Sequence, residues 1–197
     1  MQKKALFEAN ECLLVCVDIQ EKLFSVMQNK GVLLKNSNTL LEASRLFNIK
    51  TIVTEQYPKG LGHTHSEIEF CKIDKFEDFN KDDDKIQCLC LEKISFSIFN
   101  DDNIAQIIKQ ISCKKIILFG IESHVCMLQS LIQGLELGYD MYAVEDAMSS
   151  RTVQNHENAL KFIRQSGVKV INVETFLFGL MVEARGDNFK SISSLVK

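Results

Sequence analysis

Three side chains in this 197-residue chain carry complementary chemistry: the carboxylate of Asp18, the ammonium of Lys93 and the thiol of Cys126. Together they are the parts of an activated nucleophile. The carboxylate can take the thiol proton and return it to a leaving group, while the ammonium stabilises the thiolate and keeps the carboxylate ionised. Each also has a plainer reading. An Asp at a strand end commonly caps a loop, a Lys there is commonly a solvated charge, and Cys126 is one of seven cysteines that fill core space well. His124 stands two residues from Cys126, but side chains at i and i+2 of a helix do not face each other, so a direct Cys–His dyad is not expected.

The elements that must position these groups are legible as apolar runs. Lys115 to Met127 reads KIILFGIESHVCM. Ile116 to Phe119 has the pattern of a buried strand, Gly120 and Ile121 lead out of it, and Glu122-Ser123 is a helix-start signal. Cys126 then falls in the first turn of a helix, where unpaired N–H groups and the helix dipole favour a thiolate. Strands are expected over 12–17, 50–54, 86–91, 115–119, 140–144 and 168–173, and helices over 32–47, 101–111, 123–138, 155–165 and 175–183. Asp18 follows the first strand, Lys93 the third and Cys126 the fourth. The alternation, with runs too apolar for a one-sided antiparallel sheet, predicts an α/β fold: a three-layer α/β/α sandwich around a six-stranded, mostly parallel, doubly wound sheet. Ligands in such sheets bind at the carboxyl ends of strands, near the reversal of strand order. No linker or repeat interrupts the pattern, so one domain is expected over 1–197, with its core at about 11–182.

Composition removes several function classes. The net charge of −3 gives no electrostatic case for nucleic acid or an anionic membrane, and no run of 18 apolar residues would span a bilayer. The scattered odd number of cysteines and the absence of a secretory pattern at the start suggest reduced thiols in the cytoplasm, with a mitochondrial destination left open. Residues 63–85 read as an irregular polar excursion, and Asp82-Asp83-Asp84 as a solvated face. Cys88 and Cys90 share one face of a strand, but no further ligands complete a metal set, so both are read as core.

The order and spacing of several short motifs resemble the isochorismatase-like cysteine hydrolases, a family that includes nicotinamidases and carbamoylsarcosine amidases. They are Val17-Asp18-Ile19-Gln20, Lys93-Ile-Ser-Phe-Ser97-Ile-Phe99 and Gly120-Ile121-Glu122-Ser123-His124-Val125-Cys126, followed by Glu145 to Arg151, His156 and Val173-Glu174-Thr175. The ESHVC variant looks most like the eukaryotic isochorismatase-domain subgroup. The resemblance implies Asp18 as general base and acid, Lys93 as supporting cation and Cys126 as nucleophile. A thioester or related intermediate would then be resolved by water. It also implies a cis peptide at Ile121–Glu122 and an oxyanion hole made by the backbone N–H groups of Glu122 and Cys126. Gln20, Phe24, Tyr57, Phe99 and Ile121 are the expected substrate contacts, with specificity set by the loops 55–75 and 95–102.

Metal-binding nicotinamidases carry an Asp-x-His element where this chain reads Thr54-Glu55-Gln56-Tyr57, and His63 and His65 lack nameable partners. No metal and no cofactor are therefore expected. The reading is a hydrolase of a small-molecule amide, ester or vinyl ether, forming a homo-oligomer by family resemblance. Two alternatives stay open. Some relatives carry ribonuclease-type names, against which the acidic balance and the lack of an aromatic-basic face argue. A non-catalytic binding or redox protein keeping the fold and a reactive thiol is the other.

Overall fold

The computed structural model describes residues 4–79 and 85–196; Asp82-Asp83-Asp84 lies outside them. In chain order its elements are β1 (Cys12–Val17), α1 (Glu21–Phe24), α2 (Lys30–Leu46), β2 (Thr51–Gln56), α3 (Pro58–Leu61), β3 (Cys71–Ile73), β4 (Gln87–Lys93), α4 (Asp102–Ile111), β5 (Lys115–Ile121), a π-helical turn Ser123–Met127, α5 (Leu128–Glu136), β6 (Asp140–Ser149), α6 (Val153–Gln165), β7 (Lys169–Ile171), α7 (Val173–Gly179) and α8 (Asp187–Leu195). Among the described residues the sheet has seven strands in the order β3-β4-β2-β1-β5-β6-β7, and every paired neighbour is parallel.

The six residues of β1, CLLVCV, are apolar on both faces because both faces are covered. Leu14 and Cys16 join Leu33, Leu40, Val53, Phe119 and Phe176 in the layer under α2, α7 and α8. Leu13, Val15 and Val17 join Ile52, Leu118, Ile108, Leu131 and Ile163 under α4, α5 and α6. The doubly wound sandwich expected from the alternation is thus present, with one difference. The seventh strand, β3, is a three-residue edge strand in the stretch read as irregular, and its exposed residues give it no apolar alternation. The chain's tail is also more ordered than its weak pattern suggested: α8 anchors itself by burying Ile192.

From β1 the chain moves outward to β2 on one side and later returns to β5 on the other, so strand order reverses at β1. The carboxyl ends of β1 and β5 therefore open a crevice. Where β5 leaves the sheet, its register with β6 shifts between Leu118 and Gly120. Gly120 takes φ +123, and a Cβ there would stand 2.2 Å from the carbonyl oxygen of Val17. That contact is with backbone and cannot be relieved by a rotamer. Gly120→Ala is accordingly expected to cost about 2–3 kcal/mol of stability in urea unfolding, whereas a loss under 0.5 kcal/mol would mean the strand ends are free to part.

Candidate active site

Asp18 directly follows β1 and adopts a left-handed backbone, φ 53, closed by a 2.7 Å hydrogen bond from the Gln20 N–H to its carbonyl. For a non-glycine residue this costs on the order of 1 kcal/mol, a cost Asp tolerates better than most. Lys93 is the last residue of β4, and Cys126 lies in the π-helical turn after β5. The Lys93 Nζ donates to Asp18 Oδ2 at 2.7 Å, to Gln56 Oε1 at 2.8 Å and to the Ser95 carbonyl at 3.2 Å, which uses all three of its hydrogens. Thr54 Oγ1 donates to the other Asp18 oxygen at 2.7 Å. The Cys126 thiol donates to Gln56 Oε1 at 4.0 Å, and Asp18 and Lys93 are the charged groups that act on it. Both side chains of the Asp18–Lys93 pair have no solvent exposure.

Burial pushes the Asp18 carboxyl above its ordinary range, while Lys93 and Thr54 pull it back. Burial also pushes the Cys126 thiol up, the Asp18 charge adds to that, and Lys93 opposes it. This corrects the expectation of a resting thiolate. Position at a helix start favoured ionisation, but the folded chain buries the sulfur beside a carboxylate, and both effects hold the proton on sulfur.

The turn carrying Cys126 is fastened to the loop after β6. The Ile121–Glu122 peptide is cis. The Glu122 carbonyl accepts from the N–H groups of Val125 (3.0 Å) and Met127 (3.3 Å). The Glu122 carboxylate accepts from the Arg151 N–H at 3.0 Å and from its guanidinium. Ser123 Oγ donates to the Ser149 carbonyl at 2.9 Å and stands 2.8 Å from His156 Nδ1. His124 turns to Ser150 Oγ (3.0 Å) and Asn155 (3.3 Å), away from a partnership with the thiol.

Burial would raise the Glu122 carboxyl, but its bonds and charge contact with Arg151 outweigh that and hold it low. A depressed folded value contributes stability above the unfolded value, about 4.3, that disappears as pH falls through the folded value. Arg151 is half exposed, which screens the pair. Arg151→Ala is expected to lower stability at pH 7 by about 1–2 kcal/mol, with the difference from the parent vanishing toward pH 3. Unfolding curves at the two pH values check it; a difference that grows on acidification would sink the assignment.

The expected substrate contacts divide. Tyr57 is half exposed and, with Pro58, Lys59, Glu92, Lys93, Ile94 and Asp101, lines a cleft of about 250 Å³. Phe24 is buried with its ring 4.2 Å from that of His65. The other three face protein. Gln20 spends its amide on Gln56 N–H (2.7 Å), the Gln56 carbonyl (3.0 Å) and the Gly62 carbonyl (2.6 Å), clamping the end of β2. Phe99 stacks on Tyr139 with centroids 5.5 Å apart, and Ile121 is wholly buried in the α2-side core. His63 pairs with Glu55 (3.0 Å) and His65 with Glu21 (3.7 Å). Among the described residues no three His, Cys, Asp or Glu side chains converge as a metal site, and no helix is long and apolar enough to cross a membrane.

Gln56 was missed. It ends β2 as Lys93 ends β4, and its register partner across the ladder is Lys93 itself. Strand-end position was the available signal.

Comparison with known proteins agrees with this architecture. Residues 12–175 match the family model described as Isochorismatase domain. A curated relative, the "Secreted isochorismatase effector Isc1" of Phytophthora sojae, is 36% identical over 98% of this chain and 87% of its own. Among solved structures, the MAR1 ribonuclease from Caenorhabditis elegans superposes with TM-score 0.82 at 31% identity, covering 96% of this chain and 91% of that one. The YcaC gene product of Escherichia coli, described as an octameric hydrolase of unknown specificity, gives TM-score 0.82 at 19% identity over 96% and 89% of the two chains.

Proposed function

The chain belongs to the isochorismatase family, and from that premise we propose that it is a metal-independent cysteine hydrolase of small-molecule amides, esters or vinyl ethers. The observation that carries the reading is the dry contact of Asp18, Lys93 and Cys126 at the carboxyl ends of three parallel strands. For an amide or ester, Asp18 takes the thiol proton as sulfur attacks the carbonyl carbon. The carbonyl π electrons move to oxygen, where the backbone N–H groups of Glu122 and Cys126 receive the oxyanion. Collapse breaks the C–N or C–O bond, and Asp18 returns the proton to the departing amine or alcohol. Water then attacks the thioester, giving its proton to Asp18; collapse releases the carboxylic acid and the returned proton restores the thiol. Lys93 keeps the Asp18 carboxylate ionised, and so free to accept the thiol proton, at each turn of the cycle.

The half-exposed Tyr57 and the cleft behind it supply the substrate face. All seven cysteines are free, which supports a reducing, cytosol-like compartment. A homo-oligomer is part of the proposal, in line with the octamer described for the Escherichia coli neighbour. The ribonuclease name belongs to the Caenorhabditis elegans neighbour; the net charge of −3 weighs against carrying a phosphodiester substrate over to this chain.

Acylation tests the reading. A small activated ester such as p-nitrophenyl acetate is expected to leave a transient acetyl group on the Cys126 peptide. Cys71, the exposed cysteine, is an internal control for unassisted thiol reactivity. Acetyl found on Cys71 and never on Cys126 would end the covalent mechanism.

A further inference from the structure

We propose that Gln56 is a positioning residue of this site, holding the Lys93 ammonium between the Asp18 carboxylate and the Cys126 thiol through its side-chain oxygen. The inference rests on the cysteine-hydrolase reading and adds a fourth member to it.

The amide of Gln56 is oriented by two bonds that cannot be exchanged. Its Oε1 accepts from the Lys93 ammonium at 2.8 Å, and its Nε2 donates to the Ile94 carbonyl at 2.6 Å. Flipping the amide would set two donors against each other at Lys93 and two acceptors against each other at Ile94. The backbone of Gln56 is just as fixed, because the buried Gln20 amide grips both its N–H and its carbonyl. The chain thus uses one glutamine wholly inside the fold to hold a second one at the reacting centre. Without the Gln56 oxygen, Lys93 keeps only Asp18 and the Ser95 carbonyl, and its flexible stem is free to follow the carboxylate away from the sulfur.

Two charged groups act on the thiol: Asp18 from the β1 end and Lys93 from the β4 end. The remaining charged groups of the turn, Glu122 and Arg151, are paired with each other, and His124 is bonded to Ser150 and Asn155. Gln56 Oε1 also accepts from the thiol itself, but at 4.0 Å against 2.8 Å from the ammonium, so its main effect runs through Lys93. Losing the ammonium from its place raises the proton affinity of both the carboxyl and the thiol. Whichever of the two limits reaction, the rise of Cys126 reactivity with pH must move upward.

Iodoacetamide alkylation of Cys126, followed by peptide mass against pH on the full chain, reads this directly. Gln56→Met keeps the length and removes the oxygen; alkylation at pH 7 is expected to slow by about fivefold or more, with the profile displaced to higher pH. In a Lys93→Ala background the same replacement is expected to give no further upward displacement, since only the weak thiol contact is left to lose. Should Gln56→Met fail to fold, Gln56→Glu keeps the shape and competes for the ammonium with a second carboxylate, so it too moves the profile upward. An unchanged or downward-shifted profile, or a Gln56 effect that persists without Lys93, overturns the proposal. Those results leave the hydrolase reading intact if Asp18→Asn still alters Cys126 alkylation; if Cys126 ignores Asp18 and Lys93 as well, both fall.

Discussion

Cys126→Ala is expected to lower the turnover of any amide or ester this protein hydrolyses by at least about 10⁴-fold, while leaving the fold and the cleft in place. Deleting the sulfur removes the atom that forms the covalent bond, and no neighbouring side chain can replace it. Ser123 is wholly buried and donates its hydroxyl to the Ser149 carbonyl, and His124 is engaged with the α6 side. Asp18→Asn is expected to be nearly as damaging, because an amide cannot accept the thiol proton. The two variants differ in pH dependence. On the proposed mechanism the parent works only with Asp18 ionised, and burial pushes that carboxyl up, so its rate should fall with acidification at a pH above the ordinary carboxyl value of about 3.9. In the Asn variant that limb should vanish from the residual rate. A panel of small amides and esters, assayed from pH 4 to 9, decides it: an Asn variant that keeps the acid limb places the general base elsewhere.

Much of the scaffold was legible because its strands are central. CLLVCV and KIILF are apolar without alternation, which a chain of ordinary polarity can afford only where both faces of a sheet are covered. The residues at their carboxyl ends then follow from topology, and Asp18 and Lys93 meet because β1, β2 and β4 lie side by side. What stayed illegible has local physical reasons. The edge strand β3 is three residues long and largely exposed, so periodicity says nothing about it. Gln56 carries no charge and no sequence motif, and its strand-end position gains meaning once β2 is seen lying between β1 and β4. The ionisation of Cys126 was misjudged because a turn's dipole can be inferred from sequence while the dryness around a sulfur cannot. Phe99 and Ile121 were expected at the substrate from the family resemblance alone, yet their side chains pack in the two cores.

Lys93→Met should be the most destabilising change at the site, by about 3–5 kcal/mol at pH 7, because it strands the Asp18 carboxylate without its cation in a place no water reaches. Methionine fills much the same volume, so a cavity is a minor part of the loss. The pH dependence separates the charge effect from packing. In the variant, Asp18 answers by binding a proton in the folded state, so its folded value rises far above the unfolded one. Such a group contributes stability that is full below the unfolded value and lost as pH rises toward the folded one. Between pH 5 and 7 the variant should therefore lose stability relative to the parent by about 1.4 kcal/mol per pH unit, one proton's worth. Adding Asp18→Asn should restore most of the loss and flatten that slope, since a neutral pair of similar shape leaves no buried charge. Urea unfolding of the parent, the single variant and the double variant at both pH values measures all three quantities. If the single variant were as stable as the parent, or its deficit did not change with pH, Asp18 would be reaching water or another cation in the folded protein. The dry contact that makes Asp18 a useful base for Cys126 would then not exist.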